Sequence, residues 1–299
     1  MLKKVKAYYE REYKKLLIIP FLLLILALGQ IGWQASQPGQ DFVNKGISLK
    51  GGSTVSFDYV PSFDLESLEQ ILNQKFSINE ITFRTLGVAG SIETIAIDSD
   101  IQEKSQIDLF RKEIASQLKI AENTLSVETM GSSLGDSFFK QTLTALLIAF
   151  LLMGIVVFFY FKSIAPSLAV ILAAASDIVV TLAIFNLTGI KLSTAGIAAF
   201  LMLIGYSVDT DILLSTRVLK RVGDGPVMER IYGAMKTGLT MSATTLTAIL
   251  VAMIFAQSEV IKQIMIILFI GLLVDLVMTW LQNTGILRLY LERKGKKSK

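Results

Sequence analysis

Residues 143–161 read LTALLIAFLLMGIVVFFYF, without one charged side chain. About 20 residues in a helix, at 1.5 Å rise each, cross the roughly 30 Å of hydrocarbon in a bilayer, so this stretch reads as a membrane-spanning helix. Similar windows lie on both sides of it. Leu16–Trp33 precedes it, and Ser167–Leu187, Ser193–Leu214, Leu239–Ala256 and Ile264–Leu281 follow. With 52% hydrophobic and only 18% charged residues, the chain carries too much apolar surface for one soluble core. The expectation is an all-α membrane bundle of six transmembrane helices.

The first window competes with a secretory signal peptide, because Ala35-Ser36 offers a weak cleavage site. The apolar run is longer than a usual signal core and ends on Trp33, an interface anchor, so an uncleaved first helix is expected. Lysine and arginine counts orient the chain. Six precede the first span (Lys3, Lys4, Lys6, Arg11, Lys14, Lys15), Lys162 follows the second, five lie between the fourth and fifth, and six close the tail. The alternative side receives only Lys191 and Lys262 from its two short loops. The expected topology is multi-pass in the plasma membrane with both termini cytoplasmic. It divides into a cytoplasmic N-terminus (1–15), helix 1 (16–33), an extracytoplasmic domain (34–136), helices 2–6 (137–287) and a basic cytoplasmic tail (288–299).

The 34–136 segment alternates like an α+β domain. Gly51–Tyr59 reads as a strand and Asp64–Phe76 as a helix with Leu65, Leu68, Ile71 and Leu72 on one face. Ile81–Leu86 and Ile92–Ile97 read as strands separated by Gly87 and Gly90. Ser99 or Asp100 is the expected cap of a second helix through Lys119, with Ile107, Phe110, Ile114 and Leu118 as its stripe. Thr124–Met130 supplies the last strand. The order β-α-β-β-α-β is the ferredoxin-like split arrangement, placed between helices 1 and 2.

Cysteine and histidine are both absent, so disulfides and imidazole or thiolate metal sites are excluded and no metal or cofactor is expected. Proton handling falls to carboxylates. Four lie within the apolar windows: Asp177, Asp209, Asp211 and Asp275. A charge at the centre of a spanning helix costs roughly 2.5–3.5 kcal/mol on the lenient scale, so each needs a reason. Ala169, Ala173, Asp177 and Thr181 share one helical face, as do Ala198, Met202, Gly205 and Asp209, and Gly271, Asp275, Thr279 and Gln282. Thr237, Thr240, Thr244 and Thr247 form a hydroxyl stripe on the fifth span. Such faces are expected in a bundle interior, with Asp177 and Asp209 as the leading candidates for an ion or proton relay. Small faces also serve plain packing, and threonines often only bond their own i−4 carbonyl. Asp211 lies roughly 200° around the helix from Asp209, nearer the cytoplasmic end and within range of Arg217.

Four stretches resemble one family. Gly205–Arg217 (GYSVDTDILLSTR) is similar to the span-four signature of SecF, the smaller subunit of the SecDF protein-export complex. Ser176–Phe185 (SDIVVTLAIF) is similar to that family's third-span run, with Ser176 where bacterial members carry histidine. Ser242–Leu246 (SATTL) resembles its fifth-span element. Gly46–Gly52 (GISLKGG) resembles the approach to its outer domain, with Ser48 replacing an aspartate. In bacterial SecF the span-four aspartate falls at Thr210, whereas Asp209 stands in the register SecD uses. That departure suggests an archaeal-type subunit. The resemblance implies an accessory subunit of the protein translocase, within the resistance–nodulation–division superfamily. It implies partnership with SecD, the Sec channel and the translocating polypeptide, coupled to the proton motive force or another ion gradient.

Two rivals stand beside it: a small-molecule or lipid exporter of the same superfamily, and a scaffold in which the aspartates only pack. No phosphate-binding loop or protease-like aspartate pair is present, so neither an enzyme nor a nucleic-acid binder is expected.

Overall fold

The computed structural model describes residues 2–38, 41–59, 65–76, 81–86, 94–221, 223, 225–256 and 258–297. Helix α1 (Leu2–Arg11) is followed by α2 (Tyr13–Leu16) and α3 (Ile18–Ser36), and a single turn, α4 (Ile47–Lys50), leads to the first strand. The sheet domain runs β1 (Gly52–Asp58), α5 (Leu65–Lys75), β2 (Ile81–Leu86), β3 (Thr94–Ser99), α6 (Lys104–Leu118) and β4 (Ser126–Met130). Long helices follow: α7 (Ser132–Phe161), α8 (Ile164–Leu187), α9 (Thr194–Lys220), α10 (Val227–Phe255) and α11 (Glu259–Val277). A π-helical stretch, Met278–Asn283, joins α11 to α12 (Thr284–Lys297).

Among the described residues, 6 helical stretches are long and apolar enough to cross a membrane: Tyr13–Ser36, Ser132–Phe161, Ile164–Leu187, Thr194–Lys220, Val227–Phe255 and Val260–Lys294. Each matches one expected window, with Ser193 and Ala256 falling just outside as caps, and each helix runs further at one or both ends, because helical hydrogen bonding continues past the apolar stretch into flanking polar turns. The apolar windows of α8 and α9 are 56% buried and that of α7 only 6%, so α8 and α9 form the centre and α7 the rim. On α7, Leu147, Ile148, Leu151, Leu152, Ile155, Val156 and Phe159 stay exposed, an apolar surface that water would not tolerate and lipid accepts. At the centre, Phe185, Ile197, Phe200, Leu203 and Ile267 form one packed cluster and Val157, Val170, Ala174, Ile204 and Val208 another.

The four strands form an antiparallel sheet in the order β2-β3-β1-β4. One face carries Val55, Phe57, Ile95 and Ile97 against Leu68 and Leu72 of α5 and Phe110 and Ile114 of α6. Alternation sends Thr54, Arg84 and Asp98 to the other face, where Arg84 forks onto Asp98 and Thr54 donates to the same carboxylate at 2.8 Å. The expected capping by Ser99 or Asp100 is wrong. Ser99 belongs to β3, where it pairs with Ser53, and α6 begins after Glu103, whose side chain makes no cap bond. The ladder bonds outcompete a cap because they satisfy the backbone and side chain of Ser99 together. Gly87, Gly90 and Ile92, in the expected turn and strand start, lie outside the described residues, as does Asp64.

A strap leading into the sheet domain is sewn to the α8–α9 connection. Gly46 donates its amide to the Leu192 carbonyl at 2.8 Å, and Leu192 returns a 2.6 Å bond to Asn44. Asn186 and Gln34 bond the same strap through the Phe42 and Asp41 carbonyls. Beyond it, Gly51 takes φ +85° and crosses α7 at Gly135 so closely that a methyl group there would lie 2.7 Å from the Gly51 nitrogen. That backbone crossing cannot yield as a side chain would. Gly135→Ala should therefore cost about 1–3 kcal/mol by overpacking, lowering the melting temperature of the purified protein. Gly131→Ala, where nothing lies within 4 Å, should leave it unchanged.

Candidate functional site

Three of the four intramembrane aspartates come together, and each is fully buried: Asp177 on α8, Asp211 on α9 and Asp275 on α11. The face Ala169-Ala173-Asp177-Thr181 is buried throughout, which brings Asp177 to the centre of the bundle. Ser207 donates to Asp177 Oδ2 and also lies against Asp275, while Asp177 and Asp275 meet carboxyl to carboxyl. The Thr279 hydroxyl contacts Asp275 Oδ1 at 2.9 Å and Asp211 Oδ1 at 3.0 Å. Asn283 adds its Nδ2 to Asp211 Oδ1 at 2.7 Å. The result is one line of buried polar side chains, Ser207–Asp177–Asp275–Thr279–Asp211–Asn283, hydrogen-bonded on either side of the Asp177–Asp275 pair and built from three helices.

The π-helical stretch supplies much of this line. Its wider turn buries Met278, Thr279, Trp280, Gln282 and Asn283 within six positions. Gln282 donates to Ser176 Oγ at 3.1 Å, and Ser176 donates in turn to the Leu172 carbonyl. Thr284 bonds back five residues to the Thr279 carbonyl at 3.1 Å.

The hydrogens available do not fill the line. Thr279 has one hydroxyl hydrogen and two carboxyl partners, so it satisfies one while the other contact closes only if a carboxyl contributes a proton. The Asp177–Asp275 contact has the same requirement. Asp177 Oδ1, Asp211 Oδ2, Asp275 Oδ2, Asn283 Oδ1 and Thr181 Oγ1 are buried with no hydrogen-bond partner among the described residues. Among the described residues, no Lys or Arg side chain reaches any of the three carboxyls. Arg217 instead donates to Thr237, and Arg230 to the Val218 carbonyl. Buried negative charge without a partner is costly, so simultaneous ionisation of all three carboxyls is disfavoured.

The fourth aspartate is elsewhere. Asp209 is exposed, together with Ala198, Met202 and Gly205, so the face expected in the interior points outward. The opposite face, with Leu203, Ser207, Asp211 and Leu214, packs inside because α8 and α11 supply the carboxyl and hydroxyl partners there. Asp211 consequently reaches neither the interface nor Arg217. Thr240, Thr244 and Thr247 are likewise exposed, and Thr237 is half-buried. All four donate to their own i−4 carbonyls, at 3.3 Å for Thr237, 2.8 Å for Thr240, 3.1 Å for Thr244 and 2.8 Å for Thr247. Sequence reasoning missed Ser207 and Asn283. Asn283 stands one helical turn beyond Thr279 and could have been found by extending the polar face of the last span.

A second feature lies between the sheet domain and the helix connections. The polar sheet face, with Thr54, Arg84, Asp98 and Glu128, overlooks Lys191 and Lys262 across a cleft of about 740 Å³.

Residues 111–293 match the family described as protein export membrane protein SecD/SecF, C-terminal. The chain is 36% identical to the protein-export membrane protein SecF of Pyrococcus furiosus, over 98% of its own length and 96% of that protein. It is also 36% identical to the protein-export membrane protein SecF of Methanocaldococcus jannaschii, over 96% and 99% of the two chains. Among solved structures, SecDF of Thermus thermophilus, a translocon-associated membrane protein, shares the fold with a TM-score of 0.76 at 22% identity. The match covers 94% of this chain but 38% of that longer one. With near full-length relatives all carrying one description and the family model spanning the helical core, the chain belongs to the SecF family of protein-export membrane proteins.

Proposed function

We propose that this chain is the SecF half of a SecD–SecF assembly that assists protein export by drawing on an ion gradient, most simply of protons. The observation that carries the reading is the buried carboxyl line, whose hydrogen bonds close only when positive charge is added. In this reading Asp177, Asp211 and Asp275 alternate between occupied and empty states. One elementary charge crossing 100 mV releases about 2.3 kcal/mol, enough to bias a two-state rearrangement of helices. Both termini lie in the cytoplasm, and the ferredoxin-like domain stands on the outer side, where it meets the translocating polypeptide near the Sec channel. The strap from Gly46 to the α8–α9 connection would carry helix movement to that domain.

The outward polar face of α9 and α10 is assigned to SecD. Asp209, Gly205, Thr240, Thr244 and Thr247 form a surface poorly suited to lipid, because a charged group in hydrocarbon is costly. SecDF of Thermus thermophilus contains far more chain than the part matched here. A partner half covering this face would make Asp209 a second, shared carboxylate of the relay.

Asp211→Asn and Asp275→Asn keep shape and hydrogen bonding but remove the titrating proton. Each should lower export of a secreted reporter at least about tenfold, the equivalent of ~1.4 kcal/mol of lost coupling, with membrane levels and SecD association unchanged. Normal export in both variants would favour the scaffold reading. Solute flux that persists in membranes lacking SecD would favour the exporter.

The interface is checked separately. Thr240→Leu combined with Thr244→Leu turns the polar face into one that lipid accepts, so SecD should cease to co-purify in mild detergent while the melting temperature holds. Retained co-purification would move the interface elsewhere.

A further inference from the structure

We infer that Tyr9, on the helix ahead of the first span, is a positioning residue for the carboxyl line, holding the π-helical stretch in the register that presents Thr279 and Asn283. This inference rests on the relay reading above for its functional meaning, but its geometry stands independently. The Tyr9 hydroxyl donates to the Trp280 carbonyl at 2.6 Å, across 271 residues of sequence. A π turn puts the backbone ladder one step out of register, so a carbonyl within it can be left for a donor from another element, as the Trp280 carbonyl is for Tyr9. Trp280 sits between Thr279, which bridges two carboxyls, and the pair Gln282 and Asn283, which face Ser176 and Asp211.

Tyr9 is itself held from several sides. Arg288 donates to the Tyr9 and Glu10 carbonyls at 3.2 and 2.8 Å, and Tyr232 donates to Glu10 Oε1 at 2.9 Å. The Tyr9 and Tyr232 rings lie 6.4 Å apart, and the hydroxyl also meets the Thr284 side chain. The Trp280 ring is wedged against Gly238, where a methyl group would come within 2.4 Å of it. Carbonyl and ring of Trp280 are thus each held by another helix, α1 at the carbonyl and α10 at the ring. Burial pushes the Tyr9 phenol above its ordinary range, so the hydroxyl remains a donor at any physiological pH and acts as a constant clamp.

The test uses the full chain in lipid nanodiscs and the infrared carboxyl band followed through a pH titration, with Asp275→Asn to assign the band. Tyr9→Phe removes one oxygen and should displace the midpoint by about half a unit or more, the size expected when one hydrogen bond is lost. Tyr8→Phe, at an exposed neighbouring ring, should not displace it. Thr284→Val provides an independent second variant with the same expected displacement. An unmoved band in both Tyr9→Phe and Thr284→Val overturns the inference, whatever Asp275→Asn does to export. A wild-type spectrum without a titrating Asp275 band overturns it together with the relay. A displaced band alongside normal export in Asp275→Asn leaves the positioning role standing and removes the relay.

Discussion

One hydroxyl hydrogen on Thr279 stands between two buried carboxyls, and the surrounding helices are arranged around that shortage. In a dry interior, polar groups find partners within the protein or impose a penalty of several kcal/mol. Asp177, Asp211 and Asp275 find serine, threonine and asparagine, but too few hydrogens and no fixed cation. Neutral packing could have been achieved with fewer acids. A set of carboxyls whose mutual contacts close only with an added proton is what the proposed relay would draw on.

Much of this plan was legible in the sequence, for identifiable reasons. The six spans announced themselves because hydrocarbon sets both length and composition, and the sheet domain because its periodicities switch between two and 3.6. Asp177 and Asp275 could be read because each sits among small or hydroxylated residues at i±4 on its own helix. Asp209 and Asp211 could not be ranked. They lie 200° apart on one helix, and both faces of α9 carry small or polar residues. Helical periodicity shows that two faces exist but not which one meets the rest of the same chain. If a SecD half covers the outer face, α9 faces two interiors, and a single sequence contains only one of them.

The threonine stripe on α10 illustrates a related ambiguity. A threonine in a helix can satisfy its hydroxyl on its own i−4 carbonyl, and these four do so, which frees them from needing an interior. Their placement is therefore set by backbone approach rather than hydrogen-bond demand. Small and β-branched residues let another helix come close, a property useful toward a partner. The same logic explains Gly238 and Gly135, which accept the Trp280 ring and the Gly51 backbone where no larger residue fits.

The helical bundle and the sheet domain are joined by few covalent links but several hydrogen-bonded ones. The strap bonds the α8–α9 connection through backbone groups at Gly46 and Leu192, and Gln263 from the start of α11 bonds Lys191 and Ser193 in that connection. Helices α8, α9 and α11 are the three that supply the buried carboxyls. The strap is therefore bonded to a connection that joins two of the three carboxyl-bearing helices and touches the third. Side chains at that junction, Gln34, Asn186 and Gln263, bond to backbone groups. The connection that carries the strap also borders the cleft below the polar sheet face, so the carboxyl-bearing helices and the sheet domain meet at one junction.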